Sequence, residues 1–162
     1  EVEKEKAIAN DFSGLPAVSK FVGRRLKIKE IQDKIKDEDL RILLIHGYGG
    51  IGKTSLVSKV LRELQGYYVF SVVTPSTFTF GELFEKLNRF LEKNGITDLN
   101  EYVGRDITEK VQALVSLLCQ RRIIIALDGF ESQIENSVIR DVTFFSVSDH
   151  RRWIHMDLSF SY

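Results

Sequence analysis

The stretch Gly47-Tyr48-Gly49-Gly50-Ile51-Gly52-Lys53-Thr54 holds the residues best suited to chemistry in this chain of 162 residues. It fits G-x-x-x-x-G-K-[ST] at every fixed position, and each residue type has a task there. Glycine tolerates positive φ, so successive N–H groups can converge on phosphate oxygens. A helix starting at the loop adds its N-terminal dipole, about half a positive charge. Lys53 offers a mobile ammonium to β- and γ-phosphates, and Thr54 offers a hydroxyl oxygen to Mg²⁺. Chance places such a pattern in roughly one chain in 200 of this length. The apolar run before it and the amphipathic run after it are the context the mechanism requires, so the pattern implies a nucleoside triphosphate with Mg²⁺.

Phosphoryl chemistry needs a carboxylate to orient the cation and its waters, usually an Asp at the tip of a neighbouring strand. Asp128 ends the run Arg-Ile-Ile-Ile-Ala-Leu-Asp and is the candidate; an ordinary turn former is the alternative. Many ATPases place Glu directly after that Asp, but here the position is Gly129. Glu131 is the nearest carboxylate to polarise an attacking water, and a solvated loop glutamate is the competing reading. Hydrolysis is therefore expected to be slow or to depend on a further group. The candidate catalytic residues are Lys53, Asp128 and Glu131, and the candidate metal ligands are Thr54 and Asp128. His46, His150 and His155 lack metal-ligand spacing, and no Ser–His–Asp or Cys–His pattern suggests covalent catalysis. Cys119, the only cysteine, is expected to be a small buried hydrophobe rather than a nucleophile.

Alternating strands and helices must position these groups. Leu26 to Ile35 reads as a helix, with Ile28, Ile31 and Ile35 on one face. Arg41 to His46 reads as a buried strand stopped by glycines. Leu56, Val57, Val60, Leu61 and Leu64 recur at helical spacing, and Gly66 closes that helix. Tyr67 to Val73 is a second strand, broken by Thr74-Pro75. Thr79 with Glu82 forms a capping box before the stripe Phe80, Leu83, Phe84, Leu87, Phe90, Leu91, which ends at Asn94-Gly95. Asp106 or Thr108 caps a further helix carrying Val111, Leu114, Val115 and Leu118. Arg122 to Leu127 is a third buried strand. In the tail, Val142 to Val147 and Trp153 to Phe160 are strand candidates. The order predicts an α/β fold, a three-layer arrangement of a mainly parallel sheet with helices on both faces.

Residues 1–17 read as a polar leader or linker, and residues 18–162 as one nucleotide-binding domain, expected to be C-terminally incomplete. Starting at Glu1 without Met, the sequence is expected to be a processed form or an excised piece. No apolar run approaches the roughly 20 residues that span a bilayer, and the first ten residues carry no export signal. A cytoplasmic setting is expected. Lys plus Arg (23) equal Asp plus Glu (23), so a nucleic-acid partner, which usually demands a basic excess, is not favoured.

Three segments together resemble a family. Phe21-Val22-Gly23-Arg24, Gly47 through Ser55-Leu56, and Ile124 through Asp128 to Glu131 are similar to the STAND class of signalling P-loop NTPases, especially its NB-ARC branch. The resemblance covers roughly Phe21 to Glu131. It implies that Val22, Gly23 and Arg24 contact adenine and ribose, while Gly47, Tyr48, Gly49, Gly50, Ile51, Gly52, Lys53, Thr54 and Ser55 hold the phosphates. ATP or ADP is the expected nucleotide, since no N-K-x-D guanine-reading motif appears and the Asp128 segment is not D-x-x-G. It also implies a switch read by other domains or protein partners, with nucleotide-dependent self-association. The family's sensor strand is matched only weakly, by Phe144 to Arg151, so neither Arg151 nor Arg152 is assigned that role. The competing expectations are a DNA-associated ATPase of the AAA+ type, whose members also carry F-x-x-R before the loop, and a small-molecule kinase, disfavoured because no arginine-rich lid follows Asp128.

Overall fold

The computed structural model describes residues 8–18, 23–36, 42–46, 49–130 and 153–157. Expectations for Val22, Gly47, Tyr48, Glu131, Val142 to Val147 and Phe144 to Arg152 lie outside the described residues. The described chain is a mixture of helices and parallel strand pairs, divided into two compact units.

The first unit comprises residues 1–14 and 65–137. Its strands β2 (Tyr68–Val73) and β3 (Ile123–Asp128) pair in parallel, with Tyr68 opposite Ile123 and Val73 opposite Asp128. Between them in sequence lie α3 (Phe80–Lys93), a 3₁₀ turn (Asn100–Tyr102) and α4 (Ile107–Gln120). Alternation along β2 sends Phe70 and Val72 to one face, where they join Phe84, Leu87, Phe90, Leu91, Ile96, Leu99, Leu114 and Leu117 in one apolar core. The capping box starts α3: the Thr79 hydroxyl accepts from the Glu82 N–H, and the Glu82 carboxylate accepts from the Thr79 N–H. Asp106, one of the two expected caps, starts α4 by accepting from the N–H groups of Thr108 and Glu109.

Cys119 corrects an expectation. It is exposed on α4, not buried, because the buried stripe of that helix runs through Leu114 and Leu117, and position 119 falls off that stripe. Residues 8–14, part of the stretch read as a leader, run parallel beside β2. Asp11 donates its N–H to the Val69 carbonyl at 2.8 Å and accepts from the Ser71 N–H at 2.9 Å. Asn10 Oδ1 accepts from the Val69 N–H at 2.8 Å. The polar composition of this stretch is thus compatible with order, because backbone groups and short amides make the contacts.

The second unit comprises residues 15–64 and 138–162. Here β1 (Ile42–His46) pairs in parallel with β4 (Trp153–Asp157), Ile42 opposite Trp153 and His46 opposite Asp157. The helix α1 (Arg25–Lys36) buries Ile28 and Ile31 and packs against α2 (Lys53–Glu63). Its other side carries the ion pairs Lys27–Glu30 and Lys34–Glu30. In α2, Leu56, Val60 and Leu61 are buried, and Ser58, fully buried, donates its hydroxyl to the Pro16 carbonyl at 2.6 Å. Arg62 Nε donates to the Ser58 Oγ at 3.1 Å, tying the outer turn of the helix to the same point.

Candidate functional site

The glycine loop leads from β1 into α2. Gly50 and Gly52 take φ of +77° and +88°, a region closed to most L-residues. An added Cβ at either would meet nothing within 4 Å, so glycine is required there for backbone angle rather than for space. Gly52 is the residue flanking the first turn of α2, and its carbonyl accepts from the Leu56 N–H at 2.9 Å. The first turn of α2, Lys53-Thr54-Ser55, contains no acidic residue. In α3 and α4, by contrast, a side chain caps the N-terminus and a Glu sits in the first turn. A first turn holding Lys and two hydroxyls behind a left-handed glycine has the composition that suits an anion at a helix N-terminus. The burial of Leu56 and Val60 one turn further on holds that end rigid.

Gly23 and Arg24 belong to the same unit and precede α1. Both have positive φ, +87° and +54°, and Arg24 is the one non-glycine residue with positive φ among the described residues. For Arg this conformation costs about 1–2 kcal/mol. It is held in part by the Arg24 carbonyl, which accepts from the Ile28 N–H at 2.9 Å and opens α1. Backbone strain of this kind clusters at ligand-clamping sites.

Asp128 belongs to the other unit, at the end of β3. Its carbonyl accepts two hydrogen bonds from Thr74, one from the N–H at 2.8 Å and one from the hydroxyl at 2.9 Å. Gly129 then turns the chain with φ of +75°. Thr74, buried at 2% exposure, was not singled out by sequence for any site; Thr before Pro reads as a strand breaker, and only a three-dimensional register reveals what its hydroxyl reaches. Among the described residues, no group of three or more His, Cys, Asp and Glu gathers, and no helix is long and apolar enough to cross a membrane.

Comparison with known proteins supplies the family. The NB-ARC domain family matches residues 24–144, well over half the chain. A curated relative, an uncharacterized WD repeat-containing protein of Nostoc sp. (strain PCC 7120), is 25% identical over 135 residues, covering 77% of this chain. The chain spans about 10% of that relative's length. No solved structure matches the chain. With a glycine loop between strand and helix, an acidic strand end, and this family match, the chain belongs to the NB-ARC family of STAND-class P-loop NTPases, nucleotide-binding domains of regulatory switch proteins.

Proposed function

We propose that this chain binds ATP with Mg²⁺ and acts as the slowly hydrolysing nucleotide domain of a signalling switch. The observation that carries the reading is the loop at the start of α2, where Gly50 and Gly52 adopt positive φ and Lys53 and Thr54 occupy the first helical turn. Amides of that loop and turn hold the phosphates, and the Lys53 ammonium balances their charge. Val22, Gly23 and Arg24 are proposed to hold adenine and ribose, a role supported by the resemblance and by the strained backbone of Arg24.

The donor set suits Mg²⁺. Thr54 supplies a neutral hydroxyl oxygen and Asp128 a carboxylate, both hard oxygens, and Mg²⁺ characteristically keeps several waters beside one or two protein ligands and the phosphates. When bound, the ion supplies charge neutralisation on the phosphate oxygens. Glu131 is proposed to accept a proton from the attacking water, with no carboxylate beside Asp128 to share the task. The three-layer parallel sheet is proposed from the family and from the parallel pairing of both strand pairs. Partner domains are proposed as readers of the nucleotide state, a WD-repeat segment being the kind the Nostoc relative suggests, in a cytoplasmic setting.

Calorimetry with MgATP and with ADP tests the binding. Lys53→Ala should weaken MgATP affinity roughly tenfold to a hundredfold, the range for losing one charge-assisted contact. Folded wild-type protein that binds neither nucleotide, or a variant that binds MgATP as well as wild type does, overturns the reading.

A further inference from the structure

We infer that Thr74 is a positioning residue that aims the Asp128 carboxylate by clamping the backbone of Asp128 itself. The inference rests on the reading of Asp128 as a ligand of the nucleotide-bound cation. The strand ladder closes at the tip of β3 with the bond that the Thr74 N–H donates to the Asp128 carbonyl, and the Thr74 hydroxyl adds a bond that the ladder does not supply. Val73 opposite Asp128 is the last paired position of β2 and β3, and directly beyond it the chain turns at Gly129, φ +75°. A terminal residue next to a glycine ordinarily frays, and a side chain borne on it samples a wide cone.

Thr74 removes that freedom. Its N–H donates to the Asp128 carbonyl at 2.8 Å and its hydroxyl donates to the same oxygen at 2.9 Å. Two donors from one residue fix both the position and the orientation of the peptide plane joining Asp128 to Gly129. The donor is itself immobilised. Thr74 is 2% exposed, its β-branched side chain has few χ1 choices, and the following Pro75 restricts it to extended backbone. Pro75 has no N–H, so the backbone N–H of Thr74 is the last that β2 can offer before the turn in which the Phe78 N–H donates to the Pro75 carbonyl. With the Asp128 carbonyl held by both donors, the side-chain torsions of Asp128 aim its carboxylate.

The test compares the affinity for ATP in Mg²⁺ with that for ATP in EDTA, on the whole chain, with folding checked by circular dichroism. The ratio of the two affinities isolates the cation's contribution. Thr74→Val, which keeps shape and loses the hydroxyl, should lower that ratio roughly tenfold, the usual scale for removing a group that orients a metal ligand. Affinity in EDTA should stay within about twofold of wild type, and Thr74→Ser should restore the ratio. A general loosening of the fold would instead weaken both conditions together. Asp128→Asn separates the two failures. If it abolishes the Mg²⁺ contribution while Thr74→Val leaves it intact, Asp128 keeps its role and the positioning by Thr74 is wrong. If Asp128→Asn changes nothing, the role of Asp128 fails and the inference falls with it. Should Thr74→Val not fold, Thr74→Ala is judged by the same ratio; failure of both to fold assigns Thr74 to the fold alone and overturns the inference.

Discussion

Gly129 occupies the position where many ATPases carry the glutamate that activates water, and its backbone explains why that glutamate is missing. At φ +75° an L-residue costs about 1–2 kcal/mol. Restoring the common pattern is therefore expected to fail: Gly129→Glu should lower the urea-unfolding free energy by about 1–2 kcal/mol and leave single-turnover ATP hydrolysis no faster. A variant as stable as wild type that hydrolyses ATP several-fold faster would sink this account. The sequence revealed the departure at Gly129 but not its backbone conformation, since a dihedral angle is a property of the folded turn. Lys53, Thr54 and Asp128 were named from residue type and spacing, and the structure sets the first two in the opening turn of α2 and Asp128 at the end of β3. Thr74 was not named, because its contact joins residues 54 positions apart.

Most elements could be read from periodicity, since the burial that stabilises each also spaces its apolar residues. The α3 stripe is an example: Phe84, Leu87 and Leu91 are all below 1% exposure. Period fixes a face less sharply in α4, where Leu117, not among the expected positions, is the buried residue beside Leu114; the exposure of Cys119 follows from the same rotation. The segment beside β2 escaped the reading altogether because backbone bonds hold it, and these leave little trace in hydropathy. Its tightest point is Gly14, whose N–H donates to the Ser71 Oγ at 3.0 Å. A Cβ there would lie 2.4 Å from the Val72 nitrogen and 2.5 Å from its Cα. Those are backbone atoms of a core strand and cannot step aside cheaply. Gly14→Ala is expected to destabilise the protein by about 1–3 kcal/mol, the scale of overpacking, measured as a lower midpoint in urea. An unchanged midpoint would mean that residues 8–14 do not hold their place against β2 in solution.

At the scale of the whole molecule, the chain forms two units, with the glycine loop in one and Asp128 in the other. Local patterning identifies each unit's elements but carries no term for long-range assembly, so the sheet pairs were foreseen as parallel and their membership was not. Linkage offers a whole-molecule measurement that needs only the loop-bearing unit. Trp153, the only tryptophan, lies in β4 opposite Ile42 of β1, the strand that runs into the loop. Its fluorescence therefore reports unfolding of the unit that carries the glycine loop. A ligand that binds only the folded state stabilises by mass action, about 2.7 kcal/mol at a concentration one hundred times its Kd. For a chain of this size that corresponds to a rise of about 5–10 °C in the Trp153-detected midpoint. MgATP should produce the rise in wild type, and Lys53→Ala at the same nucleotide concentration should lose about half of it or more because its Kd is weaker. Equal rises in both proteins would show that nucleotide stabilises the chain somewhere other than the loop beginning α2.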